Sequence, residues 1–142
     1  MKKVNVLLSS YNGEKYIEEL IRSVLAQEGV DVILTVRDDG STDKTIDIIR
    51  SFNDSRIRLI IGKENLGPAK SFLTLLRDCE TADYYAYCDQ DDVWVQNHIE
   101  ILFKNIGSND CICGNAMLMD EDGDKLGITT LAPALRPNSR PF

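Results

Sequence analysis

The sequence is poor in several residue types on which whole classes of protein depend. Its 142 residues include one histidine and four cysteines, and 23 acidic against 16 basic side chains leave a formal net charge of −7. A nucleic-acid-binding domain normally carries a basic face, so we expect no nucleic-acid partner. Cys111 and Cys113 are too close together for a zinc knuckle, and with His98 as the sole histidine a Cys/His metal site is not expected.

Long apolar runs are also missing. No stretch approaches the length that crosses a bilayer, and Asn5 and the polar residues 9–12 interrupt the first apolar run too early for a signal peptide. We therefore expect a cytoplasmic protein, and association with the inner face of the membrane through a partner stays open. Thiols in the cytoplasm stay reduced, so we expect four reduced and mostly buried cysteines, namely Cys79, Cys88, Cys111 and Cys113.

The chain does contain a regular alternation of two patterns. Short apolar runs at 4–8, 32–37, 57–61 and 84–88 predict four buried strands, and the residues that follow each run show apolar positions at helical spacing. Such alternation is typical of an α/β fold with a mostly parallel sheet flanked by helices on both faces. The strands are apolar throughout rather than at every second residue, which agrees with a sheet covered on both sides.

Local signals predict where the helices begin and which face they bury. Asn12 is predicted as the N-cap of the first helix and Ser41 or Thr42 as that of the second, while Pro68 lies near the first position of the third. His98 is expected on the fourth helix as a surface or packing residue. The apolar positions of the third helix predict its buried face, Ala69, Phe72, Leu73 and Leu76.

The sequence changes character beyond the fourth helix. Residues 111–119 predict a fifth strand, followed by a turn at Asp122 and Gly123. The acidic stretch around this turn resembles a calcium loop, but its glycine comes too early and no glutamate closes it, so a solvated hairpin turn is favoured. Three further prolines predict an extended tail over 129–142, which leaves 1–128 as the folded domain.

Polar clusters follow three of the predicted strands, where each strand ends. If the strand order is 3-2-1-4, the order reverses at strand one, and ligands of such sheets bind outside the carboxyl ends at that point. The alternative is that each aspartate only forms a loop or caps a helix, which we expect for Asp43. The clusters that would converge on one crevice contain Ser9, Ser10, Tyr11, Asn12, Asp38, Asp39, Asp89, Gln90 and Asp91.

The acidic cluster at 89–92 contains three carboxylates in four residues and has no basic residue near it in the sequence. Their repulsion is relieved best by a divalent cation, Mg²⁺ or Mn²⁺, because both prefer oxygen ligands. Such a cation would also attract a nucleotide diphosphate. Tyr11 offers an aromatic face to a base, Asp39 an acceptor for a base N–H, and Lys70 positive charge toward phosphate, unless Lys70 is simply an exposed helix lysine.

Four segments together resemble family 2 glycosyltransferases, which have the Rossmann-like GT-A fold. They occur in the family's order, and the resemblance spans roughly residues 3–125. The last segment is similar to that of bacterial enzymes of surface-polysaccharide and cell-wall biosynthesis, rhamnosyltransferase-like members included. The segments are Leu8-Ser9-Ser10-Tyr11-Asn12-Gly13, Val36-Arg37-Asp38-Asp39-Gly40-Ser41-Thr42-Asp43, Asn65-Leu66-Gly67 and Asp89-Gln90-Asp91-Asp92-Val93-Trp94.

The resemblance implies roles for individual residues. Residues 89–91 would be the family's DXD motif, with Asp91 and Asp89 as metal ligands and Asp89 also facing the ribose and the donor sugar. Ser10 and Tyr11 would line the nucleotide pocket, and Asp39 would contact the base. Family members transfer a hexosyl or rhamnosyl group from a nucleotide-diphosphate sugar to a saccharide or lipid-linked acceptor. They invert the anomeric carbon by direct displacement, with a carboxylate of the C-terminal half as general base.

The chain departs from the family's pattern in one respect, because nothing after Asp124 resembles the acceptor-binding half. We therefore expect a fold truncated after the donor-binding half, with the general base beyond Phe142. An alternative is an isolated nucleotide-sugar-binding module without turnover. A signalling receiver domain is also α/β with clustered aspartates, but its acidic pair follows the first strand, where this chain has residues 9–12 instead.

Overall fold

A computed structural model describes residues 1–120 and 122–130, which belong to two compact units, Met1–Ile101 and the residues from Leu102 onward. Strands and helices alternate up to residue 106, as the sequence predicts. The elements are β1 (Lys2–Ser10), α1 (Ile17–Leu25), β2 (Val30–Asp38), α2 (Thr45–Ser51), β3 (Ile57–Ile61), α3 (Pro68–Asp78), β4 (Tyr84–Cys88), α4 (His98–Ile106), β5 (Met117–Met119) and β6 (Lys125–Thr129).

The first unit is built on a parallel sheet with the strand order β3-β2-β1-β4. Val4 of β1 pairs with Val32 on one side and with Tyr84 on the other. Leu7 and Leu8 point to opposite faces of the sheet because they are neighbours in a strand, and both are fully buried. The centre of the sheet is therefore covered on both faces, as predicted, and each buried leucine contributes about 1.5–3 kcal/mol.

Burial declines toward the outer strand β4. Its residues Tyr85 and Tyr87 are 42% and 55% exposed, whereas Cys88 at its carboxyl end is buried. The two central strands β1 and β2 are buried almost without interruption. The other outer strand, β3, has no buried residue. The prediction of strands buried throughout is therefore correct for the centre of the sheet and wrong for both outer strands.

Helix α1 begins at Ile17 with Tyr16 as its N-cap, so the prediction that Asn12 caps this helix is wrong. Asn12 has a φ of +47° and connects two loops. Its side-chain oxygen accepts a hydrogen bond from the Thr42 N–H at 2.9 Å, and its own N–H donates to Ser41 Oγ at 2.9 Å. The residue therefore joins the loop after β1 to the loop after β2 instead of starting a helix.

Helix α2 begins at Thr45, so neither Ser41 nor Thr42 is its N-cap. The N–H and hydroxyl of Ser41 donate to the Asp38 carboxylate at 2.8 and 2.6 Å, which holds Ser41 in the loop. Asp43 accepts a hydrogen bond from the Thr45 N–H at 3.0 Å. Asp43 thus has the local, helix-start role expected from the sequence.

Helix α3 begins at Pro68 as predicted, but it buries a different face. Ser71 and Leu75 are fully buried, whereas Leu73 and Leu76 are 67% and 41% exposed. The prediction that the apolar positions form the buried face is therefore wrong. The physical reason lies in Ser71, whose hydroxyl accepts hydrogen bonds from Ser9 Oγ at 2.7 Å and from the Arg37 guanidinium at 3.3 Å, so the helix turns a polar position toward the sheet.

The residues from Leu102 onward contain a hairpin in which β5 and β6 pair antiparallel. The predicted turn is confirmed, because Gly123 has a φ of +86° and its N–H donates to the Asp120 carbonyl at 3.1 Å. The predicted strand over 111–119 is wrong in extent, since regular structure begins only at Met117. Within the described residues β5 is hydrogen-bonded only to β6, and the paired segment of β5 is limited to Met117–Met119. Of the tail predicted over 129–142, residues 131–142 lie outside the described part of the chain.

The cysteines are less buried than predicted. Cys88 is buried and Cys79 is half-buried, but Cys111 and Cys113 are exposed because they lie in an irregular segment and not in a strand of the core. In the described part of the chain, no helix has the length and apolar character to cross a membrane.

Candidate functional site

A cavity of about 310 Å³ lies at the carboxyl ends of β1 and of its two neighbours in the sheet, β2 and β4. This is the point at which the strand order reverses, where sheets of this kind bind ligands. All of its lining residues belong to the first unit. They are Ser9, Tyr11, Asp39, Asn65, Gly67, Pro68, Phe72, Asp89, Gln90 and Asp91.

One wall of the cavity is formed by a reciprocal contact between Tyr11 and Gln90. The Tyr11 N–H donates to Gln90 Oε1 at 2.9 Å, and Gln90 Nε2 donates to the Tyr11 carbonyl at 3.1 Å. Gly13 makes room for this contact, because a Cβ on Gly13 would lie 2.6 Å from Gln90 Oε1. The Tyr11 side chain is 47% exposed and lines the cavity. The loops that follow β1 and β4 are therefore joined at the cavity.

The opposite wall contains Asp39, which is 2% exposed and still lines the cavity. Its carboxylate accepts hydrogen bonds from the Leu66 N–H at 2.9 Å, the Gly67 N–H at 2.8 Å and the Arg37 guanidinium. Burial favours a raised pKa for Asp39, but these hydrogen bonds outweigh it and hold the pKa below its usual range. Asp39 is therefore a carboxylate at neutral pH and fixes the loop between β3 and α3.

Arg37 is a buried residue of β2 that our reading of the sequence did not single out. It is 4% exposed and forms an ion pair with Asp39. The signal in the sequence is an arginine inside an otherwise apolar strand, directly before two aspartates. Such a buried charge requires a partner, and the nearby aspartates were the obvious candidates.

Ser10 and Asp38 are not among the residues that line the cavity. Both are fully buried, and Ser10 Oγ donates to Asp38 Oδ2 at 2.9 Å. Asp38 Oδ1 also accepts hydrogen bonds from the N–H groups of Gly40 and Ser41 at 3.1 and 2.8 Å. These contacts shape the loop that carries Asp39, and a direct contact of Ser10 or Asp38 with a ligand stays a prediction.

Asn12 and Lys70 are exposed residues that do not line the cavity. Asn12 contacts the loop after β2, as described above. Lys70 lies in the first turn of α3, whose N-terminal end is close to the cavity through Gly67 and Pro68. The suggested contact of Lys70 with phosphate stays a prediction.

Asp89 and Asp91 are exposed carboxylates at the end of β4, and both line the cavity. Their negative charges act on two neighbouring groups, the exposed residue Asp92 and the buried residue Cys88. Burial and the charges of Asp89 and Asp91 raise the pKa of Asp92, and burial together with the charges of Asp92, Asp89 and Asp91 raises the pKa of the Cys88 thiol. The cluster is therefore a concentration of negative charge that attracts cations.

The donor set suits a divalent cation that is shared with a ligand. Among residues 1–120 and 122–130, no group of three or more His, Cys, Asp or Glu side chains is arranged to hold a metal ion. Mg²⁺ usually keeps several waters and binds through one or two carboxylates plus substrate phosphates, and no dedicated protein cage is needed. Two cavity-lining carboxylates, Asp89 and Asp91, fit that mode of binding.

His98 packs against the segment that follows the acidic cluster. The rings of Trp94 and His98 lie 4.6 Å apart, and burial lowers the pKa of His98. The Trp94 N–H donates to Ser23 Oγ of α1 at 3.0 Å, which attaches this segment to the first helix. His98 therefore has the helix-packing role expected from the sequence.

A parallel sheet of order 3-2-1-4 with three acidic residues at the reversal point defines the class, a GT-A fold of Rossmann-like topology. The chain belongs to glycosyl transferase family 2, whose family model matches residues 5–139. This family is the one that the sequence motifs resemble.

Three proteins are similar to this chain in sequence or in fold. The dTDP-rhamnosyl transferase RfbG of Shigella flexneri is 34% identical over 128 residues, which are 83% of this chain and 44% of RfbG. The crystal structure of S. aureus TarS 1-349 in complex with UDP is 29% identical, covers 73% of this chain and 32% of that chain, and has a TM-score of 0.66. The mannosyltransferase PcManGT from Pyrobaculum calidifontis, in complex with GDP-Man and Mn²⁺, shares the fold at 23% identity, with 82% of this chain and 35% of that chain covered and a TM-score of 0.68.

This chain therefore spans less than half the length of each of these proteins.

Proposed function

We propose that the chain is the donor-binding part of a metal-dependent, inverting glycosyltransferase that uses a nucleotide-diphosphate sugar. The observation that carries this proposal is the placement of Asp39 and of the pair Asp89 and Asp91 on the wall of one cavity at the strand-order reversal. The first carboxylate suits a base N–H, and the pair suits a cation shared with a diphosphate.

The residues of the cavity divide into three roles. Tyr11 offers its ring to the face of the base, and Asp39 accepts a hydrogen bond from the edge of the base. Asp91, with Asp89, would hold Mg²⁺ or Mn²⁺, and Asp89 would also face the ribose and the donor sugar. A bound divalent cation would stabilise the charge that develops on the departing nucleoside diphosphate.

The proposed reaction is a single displacement. An acceptor hydroxyl attacks the anomeric carbon, the bond from that carbon to the diphosphate oxygen breaks, and the hydroxyl proton passes to a general base. We assign no general base among the described residues, and a base supplied beyond Phe142 stays part of the proposal. The same proposal includes a saccharide or lipid-linked acceptor in bacterial surface-polysaccharide synthesis, at the cytoplasmic face of the membrane.

A second candidate function is a binding module that holds a nucleotide sugar without turnover. It applies if the described residues bind the donor and no general base is supplied. The two candidates agree on the ligand and differ only in whether the glycosidic bond of the donor is broken.

The experiment is a calorimetric titration of the 142-residue chain with UDP-glucose, dTDP-rhamnose and GDP-mannose, each with and without Mn²⁺. Binding of at least one donor that strengthens with Mn²⁺ supports the proposal, and no binding of any donor contradicts it. Release of free sugar from the bound donor, followed by chromatography, separates the enzyme from the binding module.

A further inference from the structure

Arg37 is placed in an unusual environment at the carboxyl end of β2. Its guanidinium is buried and contacts three structural elements. Nη1 contacts the Asp39 carboxylate and donates to Ser71 Oγ of α3 at 3.3 Å, and Nη2 donates to the Glu64 carbonyl in the loop after β3 at 3.3 Å. One side chain thus connects the end of β2, the loop that lines the cavity and the start of α3.

The chain leaves space for this guanidinium at a glycine. A Cβ added at Gly62 would lie 2.6 Å from Arg37 Nη2 and 2.8 Å from the Asp38 carbonyl oxygen. Any other residue at this position would have to displace the guanidinium and the Asp38 carbonyl. A buried guanidinium is unfavourable unless its partners are well placed, and here they are supplied by residues from three elements.

The contacts of Asp39 leave little of its acceptor capacity unused. An ionised carboxylate has about four lone-pair sites. Three protein donors make four contacts with it. The Arg37 guanidinium contacts one oxygen, the Gly67 N–H donates to the other, and the Leu66 N–H is shared between both oxygens at 3.0 and 2.9 Å. Because Asp39 also lines the cavity, at most about one site remains for a ligand.

We propose that Arg37 is a positioning residue that aims Asp39 at the nucleobase and limits it to one accepted hydrogen bond. The inference rests on the proposed function, and Arg37 acts through Asp39 because it does not itself line the cavity. One acceptor site suits a base with a single ring N–H flanked by carbonyls, as in uracil and thymine. Guanine offers two adjacent N–H donors, of which one would stay unpaired.

The test uses nucleoside monophosphates, because they contain the base without the metal-binding diphosphate. UMP, dTMP and GMP are titrated without metal into the wild-type chain and into Arg37→Lys. Lysine keeps the charge but lacks the planar fork that contacts several partners at once. We expect Arg37→Lys to lose about tenfold in UMP affinity, in line with the loss of a charged hydrogen bond. Binding of inorganic pyrophosphate with Mn²⁺ should stay within about twofold of the wild type.

Two further variants make the result specific. Arg77→Lys is the matched control, because Arg77 is exposed and pairs with Asp78 on the surface of α3; its UMP affinity should equal that of the wild type. Gly62→Ala crowds the guanidinium and the Asp38 carbonyl without removing Arg37, and it should also weaken UMP binding while sparing pyrophosphate. It serves in place of Arg37→Lys if that variant fails to fold by circular dichroism.

The outcomes separate the inference from the proposed function. Unchanged UMP affinity in Arg37→Lys, with only a lower thermal midpoint, would show a purely structural role and overturn the inference. GMP binding to the wild type as tightly as UMP would overturn the assignment of a single acceptor site. If the wild-type chain binds none of the three nucleotides, the proposed function itself fails, and the inference fails with it.

Discussion

The amide side chain of Gln90 is paired with the backbone of Tyr11 through two hydrogen bonds, one donated in each direction, at 2.9 and 3.1 Å. Residues that are 79 positions apart in the sequence thereby hold the two loops of one cavity wall together. Gln90 lies between Asp89 and Asp91, so its contact with Tyr11 holds the segment that carries both carboxylates. The pairing needs both a donor and an acceptor on the side chain, which an amide provides and a carboxylate does not.

The first prediction concerns this pairing. Gln90→Glu should weaken Mn²⁺-dependent binding of UDP by about tenfold, because the carboxylate has no proton to donate to the Tyr11 carbonyl and adds negative charge beside Asp89 and Asp91. Isothermal titration calorimetry measures the effect. The same change at Gln96, which does not line the cavity, is the control. Equal UDP affinity in Gln90→Glu and the wild type would show that the pairing has no role in binding.

The second prediction concerns the metal. Asp91→Asn should abolish the Mn²⁺-dependent part of UDP binding and leave UMP binding in place, because only the diphosphate shares the cation. Asp47→Asn, an exposed aspartate in the first turn of α2, is the matched control. Titration of UDP and UMP with and without Mn²⁺ provides the comparison. A variant that still gains UDP affinity from Mn²⁺ would remove Asp91 from the metal site.

The third prediction concerns pH. Burial favours a higher pKa for Asp39 in the folded chain, but the hydrogen bonds that it accepts from Leu66, Arg37 and Gly67 outweigh burial and lower the pKa. Its charge therefore stabilises the fold above the ordinary aspartate pKa of about 3.9, and this contribution is lost as the pH falls through the lower folded value. Urea unfolding of the wild type and Asp39→Asn should show a stability difference at pH 7 that shrinks below about pH 4. A difference that stays constant across this range would contradict the assignment.

The fourth prediction tests the face that α3 buries. Leu75 is fully buried and Leu73 is 67% exposed, although both are apolar residues of the same helix. Leu75→Ala should lower the free energy of unfolding by about 2–5 kcal/mol because it leaves a cavity. Leu73→Ala should change it by less than about 0.5 kcal/mol. Urea unfolding measures the free energy of unfolding of both variants. A larger loss of stability in Leu73→Ala than in Leu75→Ala would support the buried face predicted from the sequence.

Much of the site was within reach of sequence reasoning because parallel strands align their carboxyl ends. Tyr11, Asp39 and Asp89 each follow a predicted strand, and the strand order alone brings them to one cavity. The same reasoning did not separate Asp39 from its neighbour Asp38. Adjacent residues at a strand end point in opposite directions, and here Asp39 lines the cavity while Asp38 is fully buried and does not.

Hydrophobic periodicity was less informative where a polar network competes with it. The spacing of apolar residues in α3 favours Leu73 and Leu76 as buried positions, yet Ser71 occupies the buried face. Its hydroxyl accepts hydrogen bonds there from Ser9 Oγ and from the Arg37 guanidinium. These partners lie 62 and 34 residues away in the sequence, beyond the reach of any local pattern.

The sequence by itself determined the alternation of strands and helices, the family and the set of residues that meet at the strand ends, because these follow from local periodicity and from short motifs. The tertiary structure alone decided which of those residues line the cavity and which only hold its loops in place. Asp39 and Gln90 line the cavity, whereas Ser10, Asp38 and Arg37 lie outside its lining. The physical reason is that each assignment depends on hydrogen bonds between loops that are distant in sequence, and these form only when the sheet brings the loops together.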